Sequence, residues 1–314
     1  MSEHRVLVIE NPAELRLDLG RVRVDRAGSE SAYILPADIA VLVLESKIAT
    51  ISVAVLAALA EAQAMVMVCD DRHMPCALHL PIASTGIIAG RLRRQIDFET
   101  TPQKDLAWQQ LVAAKIANSG FALRHLERKG ALRLDRLATE VMPADPNNIE
   151  AQAAKHYWQN LFPPPFKRGK QGADDPINIR LNYGYAVIRA MMARALVAAG
   201  LNCALGVGHH QSGNEFNLVD DFIEPYRFLV DIAVAQWAAE SNFFADPPPD
   251  LAELGAFAGA AKRELLAFVR HDIQINDQDM RLNAAMELSV TSYVNMLQGK
   301  AKTLILPNSC RIKS

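Results

Sequence analysis

The chain has 314 residues, of which half are hydrophobic and 22% are charged, and this composition indicates a globular protein of about two domains with real cores. Its formal net charge is −2, from 33 Lys and Arg against 35 Asp and Glu. This balance excludes a uniformly basic nucleic-acid binder, so any DNA contact has to come from local patches. The apolar run 51–60 is too short to span a bilayer, and we expect no membrane partner.

The first residues do not resemble a secretory signal, because Glu3, His4 and Arg5 precede any long apolar stretch. We therefore expect a cytoplasmic protein. The four cysteines are Cys69, Cys76, Cys203 and Cys310. They show no paired CxxC spacing, which argues against a zinc cluster or a dense disulfide framework and predicts reduced thiols.

The first hundred residues show the period-two pattern of strands. Apolar residues alternate over 15–19 and 22–24 around Gly20 and Arg21, and this arrangement predicts a β-hairpin that follows a strand at Val6 and Val8. Further strands are predicted at 39–44, 65–68 and 77–82, and Thr50 or Ser52 is a candidate cap for a helix ending at Ala62. We predict a mainly β domain over residues 1–98.

After Thr101 and Pro102 the apolar residues recur at helical intervals. Further helices are predicted at 180–199, 251–269 and 280–297. Two segments interrupt this pattern: the loop 163–172, rich in proline, glycine and cations, and a linker at 247–249. We predict an α+β protein in which the N-terminal β domain is followed by a larger all-α domain over residues 102–306.

Glu150 and Glu224 each allow a structural interpretation. Asn147 followed three residues later by Glu150 is a capping-box pattern, and Asp221 followed by Glu224 has the same spacing. Capping does not explain why Asp220 stands beside Asp221, since crowded carboxylates repel one another unless a cation or protons compensate. The alternatives for these acids are therefore helix caps or ligands of a cation.

Three strings of the sequence resemble those of one family. The strings are 147–158, which holds Glu150; 206–210, Gly-Val-Gly-His-His; and 217–227, which holds Glu224, with Leu-Asn-Tyr-Gly-Tyr at 181–185 between the first and second. In this order they resemble CRISPR-associated protein one, the integrase of spacer acquisition, over most of the chain. The stretch 216–218 leading to 224–227 resembles the branch found beside the Cas-nine effector.

The resemblance implies a metal-dependent DNA integrase and endonuclease that inserts prespacer DNA into a CRISPR array by 3′-hydroxyl attack on a phosphodiester. Its catalytic and metal-binding residues would be Glu150, His209 and Glu224. Two carboxylates and one imidazole suit Mg²⁺ or Mn²⁺, and the histidine favours manganese. The supporting residues would be Asp221, His210, Tyr183 and Asn182, with the roles of His209 and His210 open to exchange.

DNA contacts are expected from clusters of cations. These are Lys167, Arg168 and Lys170 in the loop 163–172, Arg91, Arg93 and Arg94 near the domain junction, Arg180, and a further helical cluster of Arg124, Arg128 and Lys129. Each cluster alone could equally be a solvated surface. The resemblance also implies a homodimer that binds a small second CRISPR-associated protein.

Two other functions remain compatible with the residues. A metal-dependent phosphohydrolase of small phosphate esters would use similar ligands but would be indifferent to DNA length. A non-catalytic helical DNA-binding scaffold would use the acids as caps, so that Glu150→Ala would cost only about a kilocalorie per mole.

Overall fold

The computed structural model describes residues 5–70, 75–81, 88–169, 175–245, 257 and 259–311. Its N-terminal part holds eight strands and a helix in the described residues: β1 Arg5–Ile9, β2 Glu14–Asp18, β3 Arg21–Asp25, β4 Ala32–Ile34, β5 Ile39–Leu44, β6 Thr50–Ile51, α1 Val53–Glu61, β7 Met65–Cys69 and β8 Pro75–His79. One sheet has the order β1-β5-β7-β8, with β1, β5 and β7 parallel and β8 antiparallel. The other has the order β4-β3-β2-β6.

The predicted hairpin is confirmed as β2 and β3. Leu19 and Gly20 both have positive φ, as a two-residue hairpin turn requires, and Leu15 pairs with Val24 on the buried face. Ser52 is the cap of α1, since its side chain accepts a hydrogen bond from the Val55 amide. The strand predicted at 77–82 begins earlier, at β8, and residue 82 lies outside the described residues.

The β5 strand, Ile-Ala-Val-Leu-Val-Leu, is apolar on both faces because both faces are covered. Leu42 packs into the smaller core with α1, whereas Val41 and Val43 join the larger core formed with the helices. The sheet and the helices therefore share a core. The domain limits 1–98 and 102–306 stay a prediction, although a turn at 99–101 does separate the two helices that flank it.

The rest of the chain is mostly helical. The helices are α2 Ile88–Phe98, α3 Pro102–His125, α4 Ala131–Glu140, α5 Ile149–Leu161, α6 Pro176–Ala198, α7 Asn217–Ile223, α8 Phe228–Glu240, α9 Gly259–Leu265 and α10 Leu282–Leu297, with 3₁₀ turns at Glu224–Tyr226 and Leu266–Arg270. Helix α6 is buried on most sides, because β5, β7, α7, α8 and α10 all pack against it. It is the central element of the larger core.

The C-terminal part is not all-α, which corrects the prediction. Three antiparallel strands, β9 Asp272–Ile275, β10 Gln278–Arg281 and β11 Pro307–Arg311, form a sheet of order β10-β9-β11. Ile273 and Ile275 alternate inward, and the turn at Asn276 and Asp277 has positive φ at both positions. The helix predicted from 280 begins at Leu282 because the two preceding residues belong to β10.

The helix predicted at 251–269 falls partly outside the described residues. Its described portion is α9 and the 3₁₀ turn that follows, while 251–256 and 258 are among the residues that are not described, as is the linker 247–249. Cys69, Cys76 and Cys203 are free thiols. No helix in the described ranges has the length and apolarity needed to cross a membrane.

Candidate metal and nucleic-acid site

One face of α3 forms the floor of the site. Trp108, Lys115 and Asn118 lie seven and three residues apart, so their side chains share that face. The Asn118 amide donates to the carbonyls of Pro225 at 2.8 Å and Pro307 at 2.9 Å. Because this amide is buried, α3 is fixed against the turn that carries Glu224.

Glu150 does not cap its helix. The first amides of α5 are capped by Asp145, which accepts from Ile149 and Glu150, and by Asn148, which accepts from Ala151. The capping-box interpretation of Glu150 with Asn147 is therefore wrong. The Glu150 carboxylate is free to point towards α3, where its Oε1 lies 2.6 Å from Lys115 Nζ.

Glu224 lies in the 3₁₀ turn between α7 and α8, and its side chain is only 7% exposed. Oε1 accepts from Arg227 Nη1 at 2.9 Å, and Oε2 lies 2.7 Å from Lys115 Nζ. Burial alone raises the pKa of this carboxyl, but the charges of Arg227 and Lys115 outweigh burial and lower the pKa to about 2. Glu224 is thus a carboxylate at neutral pH.

Asp221 is not a helix cap either, since it lies inside α7. It is fully buried, and it binds the loop before the helix: Oδ2 accepts from the amides of Val207 and Gly208, and Oδ1 accepts from the amide of His209. Its neighbour Asp220 pairs instead with Arg189 at 2.6 Å. The crowding expected of these acids is therefore resolved by a separate partner for each one.

His209 is held by Asp221 through its ring as well. Its Nδ1 lies 2.7 Å from Asp221 Oδ1, and the ring contacts Trp108 edge-on with centroids 5.6 Å apart. This hydrogen bond raises the pKa of His209, with smaller contributions from the charges of Glu224 and Glu150. In the neutral ring Nδ1 is the donor to Asp221, which leaves Nε2 with the lone pair that a metal needs.

The loop before His209 requires its glycines. A Cβ on Gly208 would stand 2.2 Å from the Trp108 ring, and one on Gly206 would stand 2.3 Å from the His209 carbonyl oxygen. The small residues therefore let this loop approach α3 and let the Asp221 carboxylate reach three successive amides.

The other supporting residues take no part in the contacts described above. His210 is exposed. Tyr183 is fully buried and its hydroxyl donates to Glu45 Oε1 at 2.8 Å, so it belongs to the contact between α6 and the N-terminal sheet. Asn182 accepts from Arg168 at 2.7 Å. The expectation that Tyr183 faces the site is thus corrected by its contact with Glu45.

The predicted DNA-binding cations have different environments. Arg180 is 3% exposed and stacks 3.6 Å from the ring centre of Trp237, so its guanidinium is a core group and not a phosphate ligand. Burial lowers its pKa to about 10. Arg168, the second expected DNA-binding cation of the loop 163–172, is half-buried and donates a hydrogen bond to Asn178 Oδ1 at 2.8 Å.

Most of the remaining cations that were expected to contact DNA are exposed to solvent. Lys167, Arg93, Arg94, Arg128 and Lys129 are exposed, Arg91 is half-buried, the exposed Arg124 pairs with Asp135, and Lys170 lies outside the described residues.

The central cation of the site is Lys115, which no pattern in the sequence predicts as a site residue. Lys115 bridges Glu150 and Glu224, which stand 35 and 109 positions away. Burial lowers its pKa, yet the two carboxylates more than reverse this, so the pKa is raised and the group is an ammonium. Arg227 was noted only as part of a string, and it also stacks on Tyr185 at 4.1 Å. The one local signal for Lys115 is its position within the apolar segment 111–117.

A group of buried polar side chains lies on the side of Arg227 that faces away from Glu224. Asp231 accepts from the hydroxyls of Tyr157, at 2.9 Å, and Tyr185. Burial raises the pKa of Asp231 and of both tyrosines, so the hydroxyls stay protonated as donors. The Arg227 guanidinium therefore lies between a buried carboxylate network and Glu224.

Within the described residues, no three His, Cys, Asp or Glu side chains stand in the spacing of a formed metal site. The two carboxylates instead share a cation, the Lys115 ammonium. Glu224 Oε2 is buried, and the group that contacts it at 2.7 Å is the Lys115 ammonium. Two carboxylates and an imidazole nitrogen fit a hard divalent ion in their donor chemistry.

The comparisons with known proteins agree with one another. A family model described as "CRISPR associated protein Cas1" matches residues 6–245. The "CRISPR-associated endonuclease Cas1" of Neisseria meningitidis serogroup C is 35% identical over 98% of this chain and 97% of its own length. By fold, a casposase bound to integration product aligns with a TM-score of 0.75 at 18% identity, covering 96% of this chain and 92% of that one. A chain of a Cas6-RT-Cas1–Cas2 complex aligns with a TM-score of 0.71 at 17% identity over 96% of this chain and 36% of that one.

Proposed function

Because this chain belongs to the Cas1 family, we propose that it is a metal-dependent DNA integrase and endonuclease of CRISPR adaptation, in the branch that accompanies the Cas-nine effector. It inserts prespacer DNA into a CRISPR array by attack of a fragment 3′ hydroxyl on a repeat phosphodiester. The observation that carries the proposal is the meeting of Glu150 and Glu224, from separate helical segments, at one cation beside the His209 loop.

Glu150, His209 and Glu224 would hold Mg²⁺ or Mn²⁺. The chemistry that such an ion would supply is positive charge beside the phosphodiester and a lowered pKa of an attacking oxygen. Asp221 keeps the proton of the neutral imidazole on Nδ1, so that Nε2 stays available. Arg227 holds Glu224 in its ionised form by direct contact.

DNA contacts fall to the exposed cations. Lys167 and the α2 arginines Arg93 and Arg94 present charge to solvent, with Arg91 half-buried beside them. Phosphate contacts release counterions, so affinity decreases with salt. We further propose that the chain acts as a homodimer and binds a small second CRISPR-associated protein, as the name of the Cas1–Cas2 complex suggests by likeness of fold.

The non-catalytic scaffold loses its basis at Glu150, because Asp145 and Asn148 cap that helix. A phosphohydrolase of small esters would use the same ligands. The two enzymes differ in substrate: an integrase needs a 3′-hydroxyl duplex and a repeat, and its product is a DNA branch, whereas a phosphohydrolase turns over small esters without DNA.

The test is strand transfer of a 3′-hydroxyl duplex into a repeat-bearing plasmid, with the small partner protein and Mn²⁺. We expect Glu150→Ala, His209→Ala and Glu224→Ala each to abolish the product while DNA binding persists. Glu140→Ala, an exposed carboxylate at the end of α4, is the matched control and should retain activity. Product formation by His209→Ala at the wild-type level would refute the assignment of that ligand.

A further inference from the structure

Lys115 stands where a divalent ion would be expected. Its Nζ lies 2.6 Å from Glu150 Oε1 and 2.7 Å from Glu224 Oε2, so a single positive charge joins two carboxylates from α5 and from the turn after α7. An ion bound by the same two oxygens would be within contact distance of the ammonium. The two cations therefore cannot share the position without strong repulsion.

We propose that the Lys115 ammonium is an internal counterion that occupies the cation position between Glu150 and Glu224 in the metal-free protein and has to leave it when a divalent ion binds. This inference rests on the proposed function. It gives a role to Lys115 of α3. This residue neutralises the two carboxylates before a metal ion binds, and it competes with the metal ion for them.

The charges around the site support this exchange. With Lys115 in place, Glu150 and Glu224 are balanced by Lys115 and Arg227, and the group is neutral. Without the ammonium the same group carries one negative charge, and Arg227 alone opposes two carboxylates. A divalent ion is attracted more strongly to the second arrangement than to the first.

Of the two cations that touch Glu224, Lys115 is the one able to leave. Arg227 donates a hydrogen bond to Oε1 and stacks on Tyr185, so its planar head is held on two sides. Lys115 has a flexible four-carbon stem and a 20% exposed side chain, and its head is a point charge that pairs with Glu224 Oε2 and donates a hydrogen bond to Glu150. The more flexible of the two cations is the one that the metal would replace.

The anchoring of α3 makes the movement local. Asn118, one turn after Lys115, donates to the carbonyls of Pro225 and Pro307. The helix therefore stays in place while the lysine head changes position. Displacement would require rotation about side-chain bonds only, with no shift of the elements that carry Glu150 and Glu224.

The experiment measures Mn²⁺ binding by calorimetry and thermal unfolding with and without Mn²⁺, both independent of catalysis. Lys115→Met and Lys115→Gln, which remove the competing charge, are expected to bind Mn²⁺ about tenfold more tightly than wild type. Their metal-free forms should melt at a lower temperature than wild type, because two carboxylates are left with one cation, and should gain more from Mn²⁺. Lys115→Arg should bind Mn²⁺ like wild type.

Lys104→Met is the matched control, since Lys104 lies on the same helix and pairs with Glu99 at 2.7 Å, away from the site. It should leave Mn²⁺ affinity unchanged. The inference is overturned if a folded neutral variant binds Mn²⁺ no more tightly than wild type, or if both neutral variants stay unfolded even in saturating Mn²⁺. Variants that fold only when Mn²⁺ is added would support it.

These outcomes separate the inference from the proposed function. If wild type binds Mn²⁺ and Glu150→Ala abolishes that binding, the ligand assignment stands whatever Lys115 does. If wild type, Lys115→Met and Lys115→Gln all fail to bind Mn²⁺, the metal site itself is wrong and the inference fails with it.

Discussion

His209 Nδ1 lies 2.7 Å from Asp221 Oδ1, and the amide of the same histidine donates to the same oxygen at 3.0 Å. One buried carboxylate therefore fixes both the backbone and the ring of His209. The position of the imidazole is set by α7 as much as by its own loop, and the tautomer of the ring follows from an acceptor that is fully buried.

Asp221 should matter more for stability than the histidine it holds. We expect Asp221→Ala to lower the free energy of unfolding by about 3 kcal/mol, because three amides and a ring nitrogen lose a charged acceptor in a buried position. Urea unfolding measures this. The half-exposed Asp220→Ala is the comparison, and a smaller loss for Asp221→Ala than for Asp220→Ala would contradict the prediction.

Glu224 should give an acid-dependent stability. Its pKa in the folded protein is about 2, below its ordinary 4.5, so its contribution is present above about 4.5 and is lost as pH falls towards 2. We expect Glu224→Gln to lower the free energy of unfolding by about 3 kcal/mol at neutral pH and by much less near pH 3. The measurement is urea unfolding in EDTA at both pH values.

The control for this pH dependence is Glu287→Gln, since Glu287 is paired with Arg194 but is 51% exposed. An exposed pair contributes less than about 1 kcal/mol, so the variant should differ little from wild type at either pH. A deficit of Glu224→Gln that stays constant between neutral and acid pH would show that lost packing, and not charge, is the cause.

Gly208→Ala should disturb the contact between the His209 loop and α3. The new Cβ would stand 2.2 Å from the Trp108 ring, so we expect a loss of about 2 kcal/mol of unfolding free energy and weaker Mn²⁺ binding. Combining it with Trp108→Leu should recover part of the loss, which a double-mutant cycle measures. Gly90→Ala, with no atom within 4 Å, should be neutral or stabilising by up to about 1 kcal/mol.

Substitution of Arg180 should affect stability and not DNA binding, whereas substitution of Lys167 should affect DNA binding and not stability. We expect Arg180→Met to cost about 1–2 kcal/mol of stability, because its guanidinium lies between Trp237 and Phe257, and to leave the salt dependence of DNA binding unchanged. Lys167→Met should keep stability and reduce the salt slope by about one. Fluorescence anisotropy at several salt concentrations distinguishes the two, and an altered slope for folded Arg180→Met would overturn the assignment.

Tyr183→Phe should act on the fold and not on the metal site. The hydroxyl donates to Glu45, a buried carboxylate that also pairs with the buried Lys262, so we expect a loss of about 1–2 kcal/mol of unfolding free energy with unchanged Mn²⁺ affinity. Tyr33→Phe, on the exposed β4 strand, should be neutral. Weaker Mn²⁺ binding by Tyr183→Phe would contradict this prediction and show that Tyr183 contributes to the metal site.

The elements that the sequence predicted well are those with local signals. The hairpin around Gly20 needs only two alternating runs and a turn, and α10 needs only helical periodicity. The sheet of β9 and β11 has no such signal, since Ile273 pairs with residue 310 and this pairing becomes evident only when the chain is folded. Long-range pairing was therefore missed.

In the site, too, local sequence patterns and contacts between distant residues differ in how well they can be predicted. The resemblance supplied Glu150, His209 and Glu224, but spacing alone favoured caps, and the true cap Asp145 stands five residues before Glu150, outside the capping-box pattern. Lys115 could not be assigned because its partners are distant in sequence. The charge of Arg180 predicts a DNA contact, but α6 is apolar around most of its circumference, so a buried cation on it has to find an aromatic or polar partner inside the core.

The two hydrogen bonds of Asn118 connect α3 to carbonyls 107 and 189 positions later in the chain. On a ribosome, the second acceptor emerges only after the segments that carry Glu150, His209 and Glu224 have been made. Contacts of such high sequence separation form late because loop closure has to be overcome first. The second anchor of the helix that carries Lys115 therefore forms late, and a nascent chain stalled before Pro307 should lack that hydrogen bond.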